Sequence, residues 1–192
     1  VYDQWRDLNF GEWAEQIEAA GTTMVISQFG QIEALDGTGR LAEFISAYHR
    51  LLDQFAGQTQ RMVLVSPMPF EKPNAPMAPD LTQRNDDVAA YSDAIVSIAR
   101  QRGAVFVDLF TPLKQSSPND RLTTNGIHLT ETGLREVAKL IANRLGGHPQ
   151  VDDLTAIREA VIKKNQLWFD CWRPANWSFV YGDRANQMYG KA

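Results

Sequence analysis

A single cysteine, Cys171, occurs in 192 residues, so no disulfide can close within these residues and the redox compartment stays open. As a lone thiol with no His close by in sequence, it reads as packing rather than as a nucleophile. Histidine is nearly as scarce, with three residues at positions 49, 128 and 148. No run of Lys or Arg interleaves with aromatics and the net charge is −4, which disfavours a nucleic-acid partner. No apolar run approaches the roughly 18 residues of a membrane span. No phosphate-binding loop follows a strand, because Gly37-Thr38-Gly39 lacks both the Lys and the GxGxxG spacing that such loops need. That absence weighs against a nucleotide-binding or signalling domain of flavodoxin type. Internal repeats and low-complexity tracts are missing too. What remains is 44% hydrophobic and 22% charged, long enough to bury one sizeable core.

Helical and strand patterns alternate along the chain. Trp13, Ile17 and Ala20 recur at helical spacing before Gly21. Thr23 to Ser27 is continuously apolar, as expected of a strand covered on both faces. A helix is predicted over 40–55, with Leu41, Phe44, Ile45, Tyr48, Leu52 and Phe55 on one face. Arg61 to Val65 reads as a second buried strand ending at Ser66-Pro67. Five prolines between Pro67 and Pro79 then forbid regular structure. Asn85 is expected to cap a helix whose buried stripe is Val88, Tyr91, Ile95, Ile98 and Ala99, stopped at Gly103. Ala104 to Val107 is a third strand, with Asp108 at its carboxyl end. Leu134, Val137, Ile141 and Leu145 line a helix that Thr130 or Thr132 can cap, and a last helix spans 152–168. This alternation specifies an α/β fold with a parallel sheet. Composition shifts at Asn165, dividing the chain into a main part, 1–164, and an aromatic-rich appendage of the same domain, 165–192, with Trp168, Trp172 and Trp177. The tail aromatics can stack on a sugar or simply pack.

Ligands of open α/β sheets bind beyond the carboxyl ends of the strands. Three segments lie there: Phe29 to Glu33, the loop opened by Ser66 and Pro67, and the stretch from Asp108 to His128. The Pro67–Pro79 loop is expected to border the cleft. The block Asn125-Gly126-Ile127-His128-Leu129 stands between a polar loop and an amphipathic helix, where a histidine can be held rigidly. His128 reads either as a general base or as a loop histidine packed on the helix start. A metal is not expected, since His128 has no other ligand-type residues around it. Gly30, Gln31, Ile32 and Glu33 by themselves read as a tight turn permitted by Gly30, with a local Glu33 contact. No Gly-x-Ser-x-Gly elbow occurs, and Ser27, Ser66, Ser116 and Ser117 offer no obvious nucleophile.

Together these blocks resemble the SGNH (GDSL-type) ester hydrolases, whose last block is Asp-x-x-His and whose third block is Gly-x-Asn-Asp/Glu. The run Gly30 to Phe44, the Ser66-Pro67 and Phe106-Val107-Asp108 strand ends, Gly126 to Leu129, Lys164-Asn165 and Trp172 to Asn176 carry the likeness. The resemblance implies a three-layer, flavodoxin-like sandwich. It also implies that His128 is the base, with Asn125 in the place of the orienting Asp, and that Ile32 stands where an oxyanion-binding Asn would be. Asp120 or a backbone carbonyl could substitute for the missing carboxylate. By the same resemblance the three strands match the third to fifth of the family. The first two strands and the Gly-Asp-Ser nucleophile would then lie upstream, making this chain an N-terminally truncated fragment of a longer, multidomain, extracytoplasmic bacterial protein. The implied activity is hydrolysis of a small-molecule or carbohydrate ester, an O-acetyl ester being one case, with no cofactor. The alternative is a non-catalytic binding or docking domain that has lost the oxyanion Asn and the orienting Asp.

Overall fold

The computed structural model describes residues 13–74, 77–115, 121–147 and 155–172. Ser116, Ser117, Asp120, Trp177 and the Trp-Arg-Pro segment beyond Trp172 lie outside the described residues. The chain divides into two units, Val1–Gly147 and His148–Ala192. The division follows the Gly146-Gly147 pair and precedes the composition shift at Asn165.

In the first unit, α1 (Trp13–Ala19) leads into β1 (Val25–Gln28), and two 3-10 turns at Glu33–Asp36 and Thr38–Arg40 lead into α2 (Leu41–Ala56). Then come β2 (Met62–Val65), a 3-10 turn at Thr82–Arg84, α3 (Asn85–Arg102), β3 (Val105–Val107), α4 (Phe110–Lys114) and α5 (Glu131–Arg144). The second unit contributes α6 (Thr155–Trp172). No helix among the described residues is long and apolar enough to cross a membrane.

The three strands form one parallel sheet in the order β1-β2-β3, with Ile26 opposite Val63 and Leu64 opposite Phe106. Side chains alternate across a strand, and β2 shows what each face meets. Met62 and Leu64 join the cluster built on Phe44, Tyr48 and Leu52 of α2 and Tyr91, Ile95 and Ile98 of α3. Val63 and Val65 join Val107, Leu113 and Leu122, with Val137, Leu140 and Ile141 of α5 packed against them. The sheet thus lies between α2 and α3 on one face and α4 and α5 on the other. At the first face Ser27 and Tyr48 share a buried 2.6 Å hydrogen bond. Burial pushes the Tyr48 hydroxyl pKa up to about 12; the Ser27 bond pulls the other way and the Glu33 charge adds to the rise.

Three expectations need correction. β1 is covered on one face only: Met24 and Ile26 are 44% and 52% exposed, because α4 and α5 pack on β2 and β3. Asn85 does not cap α3 but is its first helical residue. Its amide closes a pair of bonds with the Phe70 backbone, accepting from N at 2.7 Å and donating to O at 2.9 Å. Leu134 and Leu145 are exposed rather than packed. The three residues of β3 span about 10 Å while the 14 of α5 span about 21 Å, so the ends of α5 overhang the sheet.

Candidate active site

Asn125 to His128 form the tip of a narrow loop. Its arms are joined by an antiparallel bridge between Thr123 and Leu129, by Thr124 N donating to His128 O at 2.8 Å, and by Thr130 N donating to Leu122 O at 2.8 Å. Ile127 packs against the α2–α3 core, which fixes the tip from below. Thr130 caps α5, its hydroxyl accepting from Gly133 N at 3.0 Å. Gly133 has to be glycine, since a Cβ there would run into the Leu122 carbonyl. A rigid helix start therefore stands directly behind the tip.

The Asn125 side-chain oxygen gathers three donors. It accepts from Ile127 N at 3.2 Å and His128 N at 2.9 Å, and lies 3.1 Å from His128 Nδ1. The two backbone donors require an oxygen, not an NH2, at that corner, so the ring nitrogen facing it must carry its proton. In the neutral ring this is the Nδ1–H tautomer, which leaves Nε2 its lone pair. His128 is exposed, as a group that meets a substrate must be.

The loop after β2 supplies the outer support. Glu71 N donates to Gly126 O at 3.1 Å. Its carboxylate accepts from Leu122 N (3.3 Å), Thr123 N (2.7 Å) and the Thr123 hydroxyl (2.5 Å). The Thr123 hydroxyl accepts in turn from Gly126 N at 3.1 Å. Gly126 sits at φ 92° with its α-carbon against this loop, and a Cβ would come within 2.5 Å of Glu71 O. The proline-rich loop is thus bonded to the His128 tip. Glu71 and Thr123 were not read from the sequence; they are more than 50 residues apart, and nothing in the neighbourhood of either points to the other.

The first loop is built otherwise. Gly30 turns the chain at φ 104°, and its N–H donates to Glu33 Oε2 at 2.9 Å, so Glu33 makes a local contact. Gln31 is held by a 3.0 Å bond from its amide to Met68 O. Ile32 is 57% exposed. Ser66 is fully buried, its hydroxyl accepting from Leu109 N at 2.7 Å and Phe110 N at 3.0 Å; it ties β2 to the start of α4 and does not line a cleft. Pro67 packs beside Gly30. Asp108 is exposed and accepts from Thr111 N at 3.1 Å, closing the first turn of α4. Among the described residues no cluster of His, Cys, Asp or Glu could hold a metal ion.

The model of the GDSL-like lipase/acylhydrolase family matches residues 6–135. The solved structure of Axe2, an acetylxylan esterase from Geobacillus stearothermophilus, superposes with a TM-score of 0.57 at 18% identity, covering 79% of this chain and 71% of its own. LAE5, an alpha/beta hydrolase from the metagenome of Lake Arreo, Spain, gives 0.54 at 22% identity, covering 75% and 68%. At such identities the likeness is one of fold. Structures described as catalytic mutants of Axe2 replace a serine, an aspartate and a histidine by alanine. No curated protein matches by sequence.

Proposed function

The chain belongs to the GDSL-like lipase/acylhydrolase family, and from that premise we propose that it is the base-bearing part of a serine carboxyl-ester hydrolase acting on carbohydrate O-acetyl esters. The observation that carries the proposal is the Asn125–His128 pair, a 3.1 Å contact that fixes the ring as an Nδ1–H donor. The aspartate and histidine replaced in the Axe2 mutants stand three positions apart, as Asn125 and His128 do. His128 Nε2 takes the proton as a serine hydroxyl attacks the ester carbonyl, and returns it to the departing alcohol. Water then repeats the sequence on the acyl-enzyme. Asn125 orients the ring but brings no negative charge to the imidazolium, so the rate is low. No Gly-Asp-Ser sequence occurs in residues 1–192; on this reading the nucleophile comes from chain outside them, in a longer protein exported from the bacterial cytoplasm.

The second reading, a binding domain without catalysis, is favoured by Ile32. Its side chain is exposed and apolar; by the family resemblance it stands where an oxyanion-binding Asn would be, and it cannot donate a hydrogen bond. Loss of one such donor costs about 100- to 1,000-fold in rate.

Hydrolysis of a short activated ester separates the two. Residues 1–192 alone should give the background rate. The chain joined to its upstream coding sequence should give slow turnover that His128→Ala removes. Turnover indifferent to that substitution would leave the binding domain as the function.

A further inference from the structure

Next to the supports of the His128 tip is an open pocket of about 410 Å3, lined by the 69–74 segment, Thr82, the start of α3, the end of α4 and Arg121. Ligand pockets generally run from about 300 to 1,000 Å3 and join apolar walls to a few placed polar groups. Here Phe70, Pro73 and Leu113 supply the apolar surface, and Lys72, Lys114 and Arg121 supply charge of one sign. Among the described residues, the carboxylate in the wall is that of Glu71, already committed to Leu122 and Thr123. Asp80, near enough to feel Lys72, is turned to the Thr82 N–H and hydroxyl. Lys114 lies with Nζ 5.3 Å over the Phe110 ring, which orients the ammonium without neutralising it. Among the described residues, Nη1 of Arg121 is buried without any hydrogen-bond partner. A guanidinium is always charged, and a buried donor of that kind is costly unless an acceptor meets it. An apolar wall beside three cations, none of them in an ion pair among the described residues, is a complement to an organic anion.

We propose that this cavity binds a carboxylate carried on a sugar-sized body, the carboxylate held by Arg121 and Lys114 and the ring laid on Phe70, Pro73 and Leu113. Since Glu71 and Pro73 both line the cavity and abut Gly126, the bound group sits on the segment that carries the His128 tip. Its use as the subsite for an acidic sugar ester rests on the hydrolase reading above; the binding itself does not.

Titration calorimetry on the whole chain tests it, with sodium glucuronate, glucose and inorganic phosphate as probes. Glucuronate should bind saturably and more weakly as salt is added, with glucose about tenfold weaker or undetectable. Lys114→Glu, at an exposed position, should weaken glucuronate by about tenfold or more without moving the thermal midpoint, and Arg121→Gln should do the same to binding. Phosphate matching glucuronate would overturn the sugar-acid assignment. Absence of saturable glucuronate binding, or binding unchanged in both variants, would overturn the site altogether. Binding is read without hydrolysis, so its failure leaves the hydrolase proposal standing, and an inactive enzyme leaves the site standing.

Discussion

Asn125 shows what an amide can and cannot do in the place of a carboxylate. Its oxygen fixes the loop through two backbone N–H groups and the imidazole through a third bond, so geometry is retained. Charge is not, and an imidazolium formed during acyl transfer meets only a dipole. In the extended enzyme, Asn125→Asp keeps all three acceptor contacts and adds the missing charge. It should raise kcat on a short ester on the order of tenfold or more, in the direction of the roughly 10,000-fold effect known for the reverse change in a serine protease. A rate unchanged by Asn125→Asp, with His128 still required, would mean that another acid already serves the ring. Glu71 is the second residue to examine. Its carboxylate accepts three hydrogen bonds from Leu122 and Thr123, and a glutamine has only one oxygen to offer them. Glu71→Gln should cost about 1.5–3 kcal/mol in urea unfolding, and should lower kcat in the extended enzyme as the tip loosens. Unchanged stability would show the three contacts to be incidental.

Among the elements, those with long apolar stripes are legible in the sequence. The α2 stripe from Phe44 to Phe55 and the α3 stripe from Val88 to Ala99 both reach the core, because each helix covers strand along most of its length. Short elements are less legible. The apolar run Met24 to Ile26 implies two covered faces, but cover depends on where α4 and α5 lie, which no local pattern records. Asn85 has the composition of a cap and instead holds the Phe70 backbone, a partner 15 residues away. The site divides in the same way: the Asn125–His128 contact spans three residues and could be read locally, whereas the Glu71 contacts with Leu122 and Thr123 could not. Two joints between elements carry predictions. Ser66 joins β2 to α4, and Ser66→Ala leaves the buried N–H groups of Leu109 and Phe110 without an acceptor. At about 1–3 kcal/mol for each such group, the urea midpoint should fall while the m-value holds; an unchanged midpoint would sink this account. Tyr48 joins α2 to β1. An unfolded tyrosine ionises near 10.0 and this one near 12, so below pH 10 both states keep the proton and stability is intact. Between those values only the unfolded chain releases it, and stability falls by about 1.4 kcal/mol per pH unit, roughly 3 kcal/mol in all. Unfolding curves across that window should show an alkaline loss in the wild type that is smaller in Tyr48→Phe; parallel curves would refute it.

For the molecule as a whole, the consequential feature of the first unit is the unequal cover of its sheet. Each described strand is backed by α2 and α3, but α4 and α5 reach only β2 and β3. β1 is therefore an edge among the described residues, with one pairing side free and an apolar face, Met24 and Ile26, 44% and 52% exposed. An exposed edge with apolar side chains is a template for pairing with another chain, and natural edges are usually blunted by a charge. No Lys, Arg, Asp or Glu lies between Met24 and Gln28 to do this. Ile26→Lys places a charge on the open face while leaving Val25 and Ser27, which face α2, untouched. It should lower binding of a hydrophobic dye and shift sedimentation of the 192-residue chain toward the monomer, with little change in thermal midpoint, since a half-exposed isoleucine contributes little burial. Ser27→Lys, on the covered face, should instead unfold the protein, because it forces a charge against Tyr48. Wild type and Ile26→Lys that sediment alike and bind the dye equally would show that the open face of β1 is already covered, and that the sheet has a partner beyond the three described strands.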